Sequence, residues 1–176
     1  MIKSPPQAEP RGKVQDASET ERDSMVLVSF SGDMDKLFAV LSIATAAASM
    51  GIEVSIFSTF WGISALRRKR TYRGKSVLQR AMNFLLPSRA GRLPLSRRNL
   101  FGAGPVFFRH LMKTQRVPDV EELVRVAQEA GVRFIVCAMS MSLMGLTQEE
   151  LVDGIEMGGA ATCVNAMAKS KSSLFI

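Results

Sequence analysis

Short apolar runs alternate with helix-patterned segments along this chain, and that alternation constrains its fold more than any other feature. Residues 25–30 (MVLVSF), 52–57 (IEVSIF), 132–136 (VRFIV) and 174–176 (LFI) read as strands. They are short, rich in β-branched and aromatic residues, and bounded by turn formers. Between the first two lies 34–50, rich in Ala, Ile and Leu. Asp33 is placed to cap that helix, and Gly51 to end it in a left-handed conformation. A second helix is predicted over 120–130, where Val120, Leu123, Val124 and Ala127 share one face. Asp119 precedes it as a cap, Glu121 and Glu122 suit the positive end of its dipole, and Gly131 stops it. Thr147-Gln148-Glu149-Glu150 has the capping-box pattern of another short helix. Residues 154–157 read as a connection or short strand, and 160–168 as a helix of small residues. Strand and helix in alternation imply an α/β class with a doubly wound, mostly parallel sheet.

In such a sheet, ligands gather outside the carboxyl ends of the strands. The run 132–136 ends at Cys137, and Ala138-Met139-Ser140-Met141-Ser142 follows as a small-residue loop that Gly145 closes. A thiol in that place can meet a substrate if it is exposed and its pKa is lowered. Packed inside, it is a small inert hydrophobe. The Ser140 and Ser142 hydroxyls can donate hydrogen bonds to a sulfur anion. Gly158 and Gly159, at a helix start, can offer backbone N–H groups to the same anion. Met139, Met141 and Met144 would form an apolar, polarizable wall. Cys163, among Ala161, Thr162 and Val164, reads as helix packing. Other chemistries find few residues to work with. His110 is the single histidine, and the two cysteines lack zinc-ligand spacing. Neither a Walker loop nor a G-x-S-x-G elbow occurs, and Gly102-Ala103-Gly104 follows no strand. No metal and no cofactor are expected.

The chain has 176 residues and a formal charge of +7. The excess is concentrated: from Val54 to Pro118 there is no Asp or Glu. Arg67-Arg68-Lys69-Arg70 forms a cluster, with Arg73, Lys75 and Arg80 close behind, and apolar residues are interleaved throughout. An insertion of short helices and loops is expected at about 63–117. It can be a solvated basic face, a surface for anionic lipid headgroups, or a dock for an acidic protein. Nucleic acid is not expected, because no groove-reading module is visible. Residues 1–23, charged and Pro-rich, are expected to be a disordered tail ahead of one domain at 24–176. No apolar signal segment opens the chain, so the expected place is the cytoplasm, with a peripheral position at the inner membrane as the alternative. Residues 37–66 carry only Glu53 as a charge, but Gly51 and Glu53 interrupt them before the ~20 apolar residues that a membrane span needs.

Residues 29–36 (SFSGDMDK), 57–62 (FSTFWG), 137–142 (CAMSMS) and 150–162 (ELVDGIEMGGAAT), with the terminal LFI, resemble the DsrE/DsrF/DsrH-like family. The similarity runs over about 25–176 and is nearest the stand-alone branch with a long middle insertion, sometimes labelled peroxiredoxin-like. It implies a flavodoxin-like three-layer fold, homo- or hetero-oligomers, and sulfur relay. In the family, a cysteine after a central strand carries sulfur as a persulfide, exchanged with TusA-like or rhodanese-like carriers. That cysteine maps onto Cys137, and the Cys-x7-Gly spacing to Gly145 agrees; no family motif attaches to Cys163. The expectation is a sulfurtransferase-like carrier and homo-oligomer, trimer or larger, whose Cys137 thiolate accepts sulfane sulfur and hands it to another thiolate. The alternatives are a non-catalytic docking subunit that uses the basic insertion, and a thiol redox protein.

Overall fold

The computed structural model describes residues 23–96 and 103–176. The tail expected at 1–23 lies outside the described residues except for Asp23, as do Arg97 and Arg98 of the basic insertion. Strands β1 (Ser24–Ser29), β2 (Glu53–Ser58), β3 (Arg133–Cys137), β4 (Ile155–Gly158) and β5 (Ser172–Phe175) form one sheet in the order β4-β3-β2-β1-β5. Every neighbouring pair is parallel. Parallel neighbours cannot be joined by a tight turn, so each connection carries a helix. These are α1 (Met34–Ser49), then α2 (Val77–Leu85), α3 (Ala103–Thr114) and α4 (Val120–Glu129), then α5 (Ala138–Met144), and last α6 (Ala160–Lys169).

Side chains of the central strands alternate between two apolar clusters, as the two-residue period of a strand requires. Leu27, Ile56, Phe134 and Val136 face α1 and α4, where Leu37, Val40, Leu41, Leu123 and Val124 complete the main core. Val28, Phe57, Ile135 and Cys137 face the other way and meet Cys163 of α6. The result is the three-layer, flavodoxin-like arrangement. Its layers are unequal: α1 buries Leu37, Val40, Leu41 and Ala44 among others, whereas α6 buries only Cys163. No helix among the described residues is long and apolar enough to cross a membrane.

Two local expectations change. Asp33 occupies the N-cap of α1, but its side chain does not cap the helix. Its carboxylate instead accepts from Ser31 Oγ at 2.8 Å and pairs with Lys36 Nζ at 3.0 Å. The Met34 N–H donates to the Pro94 carbonyl at 2.7 Å, so the insertion caps the helix. The segment after Cys137 is not a loop but α5, with Cys137 as its N-cap and Gly145 closing it at φ 64°. Met141 and Met144, three positions apart, are buried on one face. Burial of that face supplies the stability that so short a helix lacks by itself. Asp119 does cap α4, accepting from the Glu122 N–H at 2.9 Å.

The basic insertion is anchored from an unexpected direction. Glu150 ends the short 3-10 turn that its capping box opens, and it is wholly buried. Its carboxylate accepts from Arg67 Nη2 at 2.7 Å, the Thr71 N–H at 2.8 Å and Asn83 Nδ2 at 3.3 Å. Lys75 Nζ and the Thr147 N–H close the other oxygen. Arg67 therefore leaves the surface cluster it heads in the sequence and sits in the core, its other donors on the Lys69 and Pro87 carbonyls at 3.2 Å. Burial alone would raise the Glu150 carboxyl, but these donors bring it down to about 2. Because the folded value lies below the ordinary 4.5, its stabilisation is complete above about pH 4.5 and is lost as pH falls toward 2. Replacing Glu150 by Gln leaves Arg67 and Lys75 buried without a counter-charge. Chemical denaturation at neutral pH should show a loss of about 3–5 kcal/mol. The difference between wild type and variant should shrink on acidification through that window.

Candidate functional site

Cys137 is the last residue of β3, at the carboxyl edge of the sheet, in register with Gly158 of β4. On its other side β2 ends at Ser58, abreast of Val136, and the chain continues through Thr59 into a 3-10 turn, Phe60–Leu66. Phe60 has φ 45°, a left-handed conformation unusual for a bulky residue. The turn is held against β1: the Thr59 N–H donates to the Ser29 carbonyl and the Gly62 N–H to the Phe30 carbonyl, both at 2.9 Å. Gly62 approaches so closely that a Cβ there would lie 2.2 Å from the Ser29 oxygen, so only glycine fits. This packing sets Thr59 Oγ1 2.8 Å from Ser140 Oγ, beside the sulfur.

Cys137 is 4% exposed. Burial pushes its thiol up, but the Ser140 hydroxyl and N–H, the Thr59 hydroxyl and the Met139 N–H more than offset this, so the thiol lies below its ordinary value. Cys137 makes no side-chain cap bond to α5. Cys163 shows the opposite shift: burial raises its thiol, and the nearby Cys137 charge adds to the effect. Its Sγ lies 3.7 Å from Met167 Sδ. The fold thus brings Cys137 and Cys163, 26 positions apart in the chain, into one apolar cluster.

The other residues singled out in the sequence fall in different places. Ser140 is buried beside the sulfur. Ser142 is exposed; its carbonyl accepts from Gln79 Nε2 at 3.3 Å, and it lines a cleft of about 370 Å³ with Arg73, Ala138 and Met157. Gly158 lies abreast of Cys137, where a Cβ would come within 2.7 Å of Ile135 Cγ2. The Gly159 N–H donates to Thr162 Oγ1 at 3.2 Å, inside the α6 capping box. Met139 is exposed, while Met141 and Met144 belong to the main core. His110 is exposed on α3. No cluster of His, Cys, Asp or Glu among the described residues could hold a metal ion. Thr59 was missed as a site residue. Its only signal was membership of the FSTFWG stretch, and only the parallel pairing of β2 with β3 brings it to Ser140.

The DsrE/DsrF/DrsH-like family matches residues 21–175. The chain belongs to that family. Among its relatives, Bacillus subtilis YrkE is 38% identical over 159 residues, covering 90% of this chain and 98% of YrkE. A protein of Allochromatium vinosum named sulfur carrier protein DsrE2 is 27% identical over 162 residues, covering 89% of this chain and 99% of the relative. The crystal structure of E. coli YchN superposes with a TM-score of 0.56, covering 88% of this chain and 99% of YchN. At 13% identity that likeness concerns the fold. In this family member, the hydroxyls at Cys137 are open to direct test. Removing the Ser140 hydroxyl in Ser140→Ala should raise the Cys137 thiol pKa, and Thr59→Val should raise it less. Ultraviolet absorbance of the thiolate, titrated in a Cys163→Ser background, reads both shifts.

Proposed function

We propose that this protein is a sulfur-relay carrier that holds sulfane sulfur as a persulfide on Cys137. The observation that carries this reading is a thiol at a strand's carboxyl end, lowered by the Ser140 and Thr59 hydroxyls. The family and its sulfur carrier relative support it. The two cysteines are pushed in opposite directions, which divides their roles: Cys137 is the nucleophile and Cys163 stays protonated. The Cys137 thiolate attacks the terminal sulfur of a donor R–S–SH. A sulfur–sulfur bond forms at Cys137, the donor's bond breaks, and R–S⁻ leaves while the transferred sulfur keeps its proton. No net oxidation occurs. The reverse attack by an acceptor thiolate, from a TusA-like or rhodanese-like carrier, unloads the protein.

Access runs over the first turn of α5, where Ala138 and Met139 are exposed beside the buried sulfur. Ser142 and Arg73 line the neighbouring cleft, where they would meet an incoming anion, and Gly158 lies abreast of Cys137 on the β4 side, with Gly159 next in the chain. A reducing, cytoplasmic setting keeps the thiolate available. Exposure of polysulfide-treated protein to intact-mass measurement tests the reading. Wild type should gain about 32 Da per sulfur carried. Cys163→Ser should keep the adduct, Cys137→Ser should lose it, and a reduced acceptor thiol protein should remove it. An unchanged adduct in Cys137→Ser would refute the carrier role. The shared cluster of Cys137 and Cys163 favours a second reading, a thiol redox protein. An internal disulfide in the oxidised wild type, with no adduct in either single variant, would select it.

The carrier reading also includes a homo-oligomer, trimer or larger. Phe175 on the edge strand β5 and Val164 on α6 are 69% and 64% exposed, so the thinly covered side of the sheet offers apolar surface to a second copy. Light scattering at micromolar concentration should give a mass several times that of the chain; a monomer there would count against assembly.

A further inference from the structure

Helix α2 is turned inside out. A surface helix ordinarily buries its apolar stripe and exposes its polar face. In α2 the fully buried residue is polar: Asn83 is held by Arg67, by the Thr71 carbonyl at 3.2 Å and by Glu150. The apolar residues Val77, Leu78, Ala81, Phe84 and Leu85 recur at helical spacing on the opposite side, and all are exposed. Leu78 is 81% exposed and Leu85 77%. The orientation is fixed rather than incidental, because rolling the stripe inward would pull Asn83 off the buried Glu150 network. Ser76 and Gln79 close a capping box that defines the start of the helix.

The rim of the stripe is basic. Arg80 is exposed at its flank, and the Arg70 guanidinium lies 5.9 Å from the centre of the Phe84 ring. The segment that carries them, Val54 to Pro118, has no Asp or Glu of its own. The next helix of the insertion, α3, also exposes Val106 and Phe107, with Lys113 following. A contiguous apolar patch rimmed by polar groups marks an interaction surface. Its charge decides between occupants. A second copy docked stripe to stripe would bring two basic helices together, with no acid on α2 to relieve them. An anionic bilayer satisfies both halves: acyl chains take the stripe, and headgroup phosphates take the guanidinium groups beside it.

We propose that α2 is a membrane-surface anchor, its Val77–Leu85 stripe lying in the interface of an anionic bilayer and Arg70 and Arg80 on the headgroups. This anchor lies on the membrane surface, and no helix among the described residues is long and apolar enough to cross it. The arrangement relocates the basic contribution expected of the 67–70 cluster, since Arg67 is spent on Glu150 and Arg68 pairs with Asp153 at 2.6 Å. It is independent of the sulfur chemistry, so the Cys137→Ser protein should bind as wild type does.

The test is flotation of the full chain with phosphatidylcholine vesicles containing one-third phosphatidylglycerol, against vesicles of phosphatidylcholine alone. Binding is expected only to the anionic vesicles at low salt, and it should fall steeply as salt is raised. Arg80→Gln should weaken it about fivefold. Leu78→Gln with Phe84→Gln should weaken it about tenfold or more at unchanged net charge. Both positions are exposed, so the thermal midpoint should hold and a folding defect would be visible as its loss. Wild type that ignores the anionic vesicles at low salt overturns the proposal. So does a folded Leu78→Gln, Phe84→Gln protein that floats as wild type does. A wild-type oligomer that this double variant converts to monomer, without vesicle binding, would assign the stripe to a second copy instead.

Discussion

A single buried carboxylate holds the two halves of this molecule together. Glu150 comes from the short turn between α5 and β4, yet its partners Arg67, Thr71, Lys75 and Asn83 all belong to the insertion between β2 and β3. A carboxylate in the interior is costly unless every lone pair is met. Here backbone N–H groups, an amide and two cations meet them, so the insertion cannot swing away without stranding charges. The same network fixes the roll of α2 through Asn83. It also brings Gln79 against the Ser142 carbonyl, so the insertion is packed on α5 and hence beside the thiol.

The thiol's character follows from a competition between burial and hydrogen bonding. The apolar pocket of Val28, Phe57, Ile135 and Cys163 disfavours an anion at Cys137, and the hydroxyls and N–H groups at the strand ends favour it. The donors prevail because β1, β2 and β3 end together, and the close approach of Gly62 to Ser29 leaves Thr59 aimed at Ser140. Cys163 sees the same apolar pocket without the donors and stays a thiol. Position relative to the sheet edge therefore separates two cysteines that composition treats alike.

The unequal layers give the molecule two kinds of surface. The side under α1 and α4 is a complete core, whereas α6 and β5 cover the opposite side thinly and leave Val164 and Phe175 in the open. Away from both, α2 presents an apolar stripe with a basic rim. On the proposed carrier reading, such a separation leaves the carboxyl edge of the sheet free for thiol exchange while another surface docks.

The sequence by itself determined the α/β class, the strand ending at Cys137, and the helices expected over 34–50 and 120–130, each found one residue shorter. Those features are local: an apolar run, a cap and a terminal glycine lie within a few residues of one another. The flavodoxin-like layering was legible through the family resemblance. The tertiary structure alone decided that the residues after Cys137 form a helix, because burial of Met141 and Met144 is a long-range term. It also decided that Thr59 joins the site, that Cys163 lies in the same cluster as Cys137, and that Arg67 is interior rather than part of a basic surface. Each of these depends on a partner 16 or more residues away, and charge and periodicity within a window carry no information about which distant group a side chain will meet. The arginine cluster looked solvated because its counter-ion, Glu150, stands on the far side of β3, and only folding of the parallel sheet brings it there.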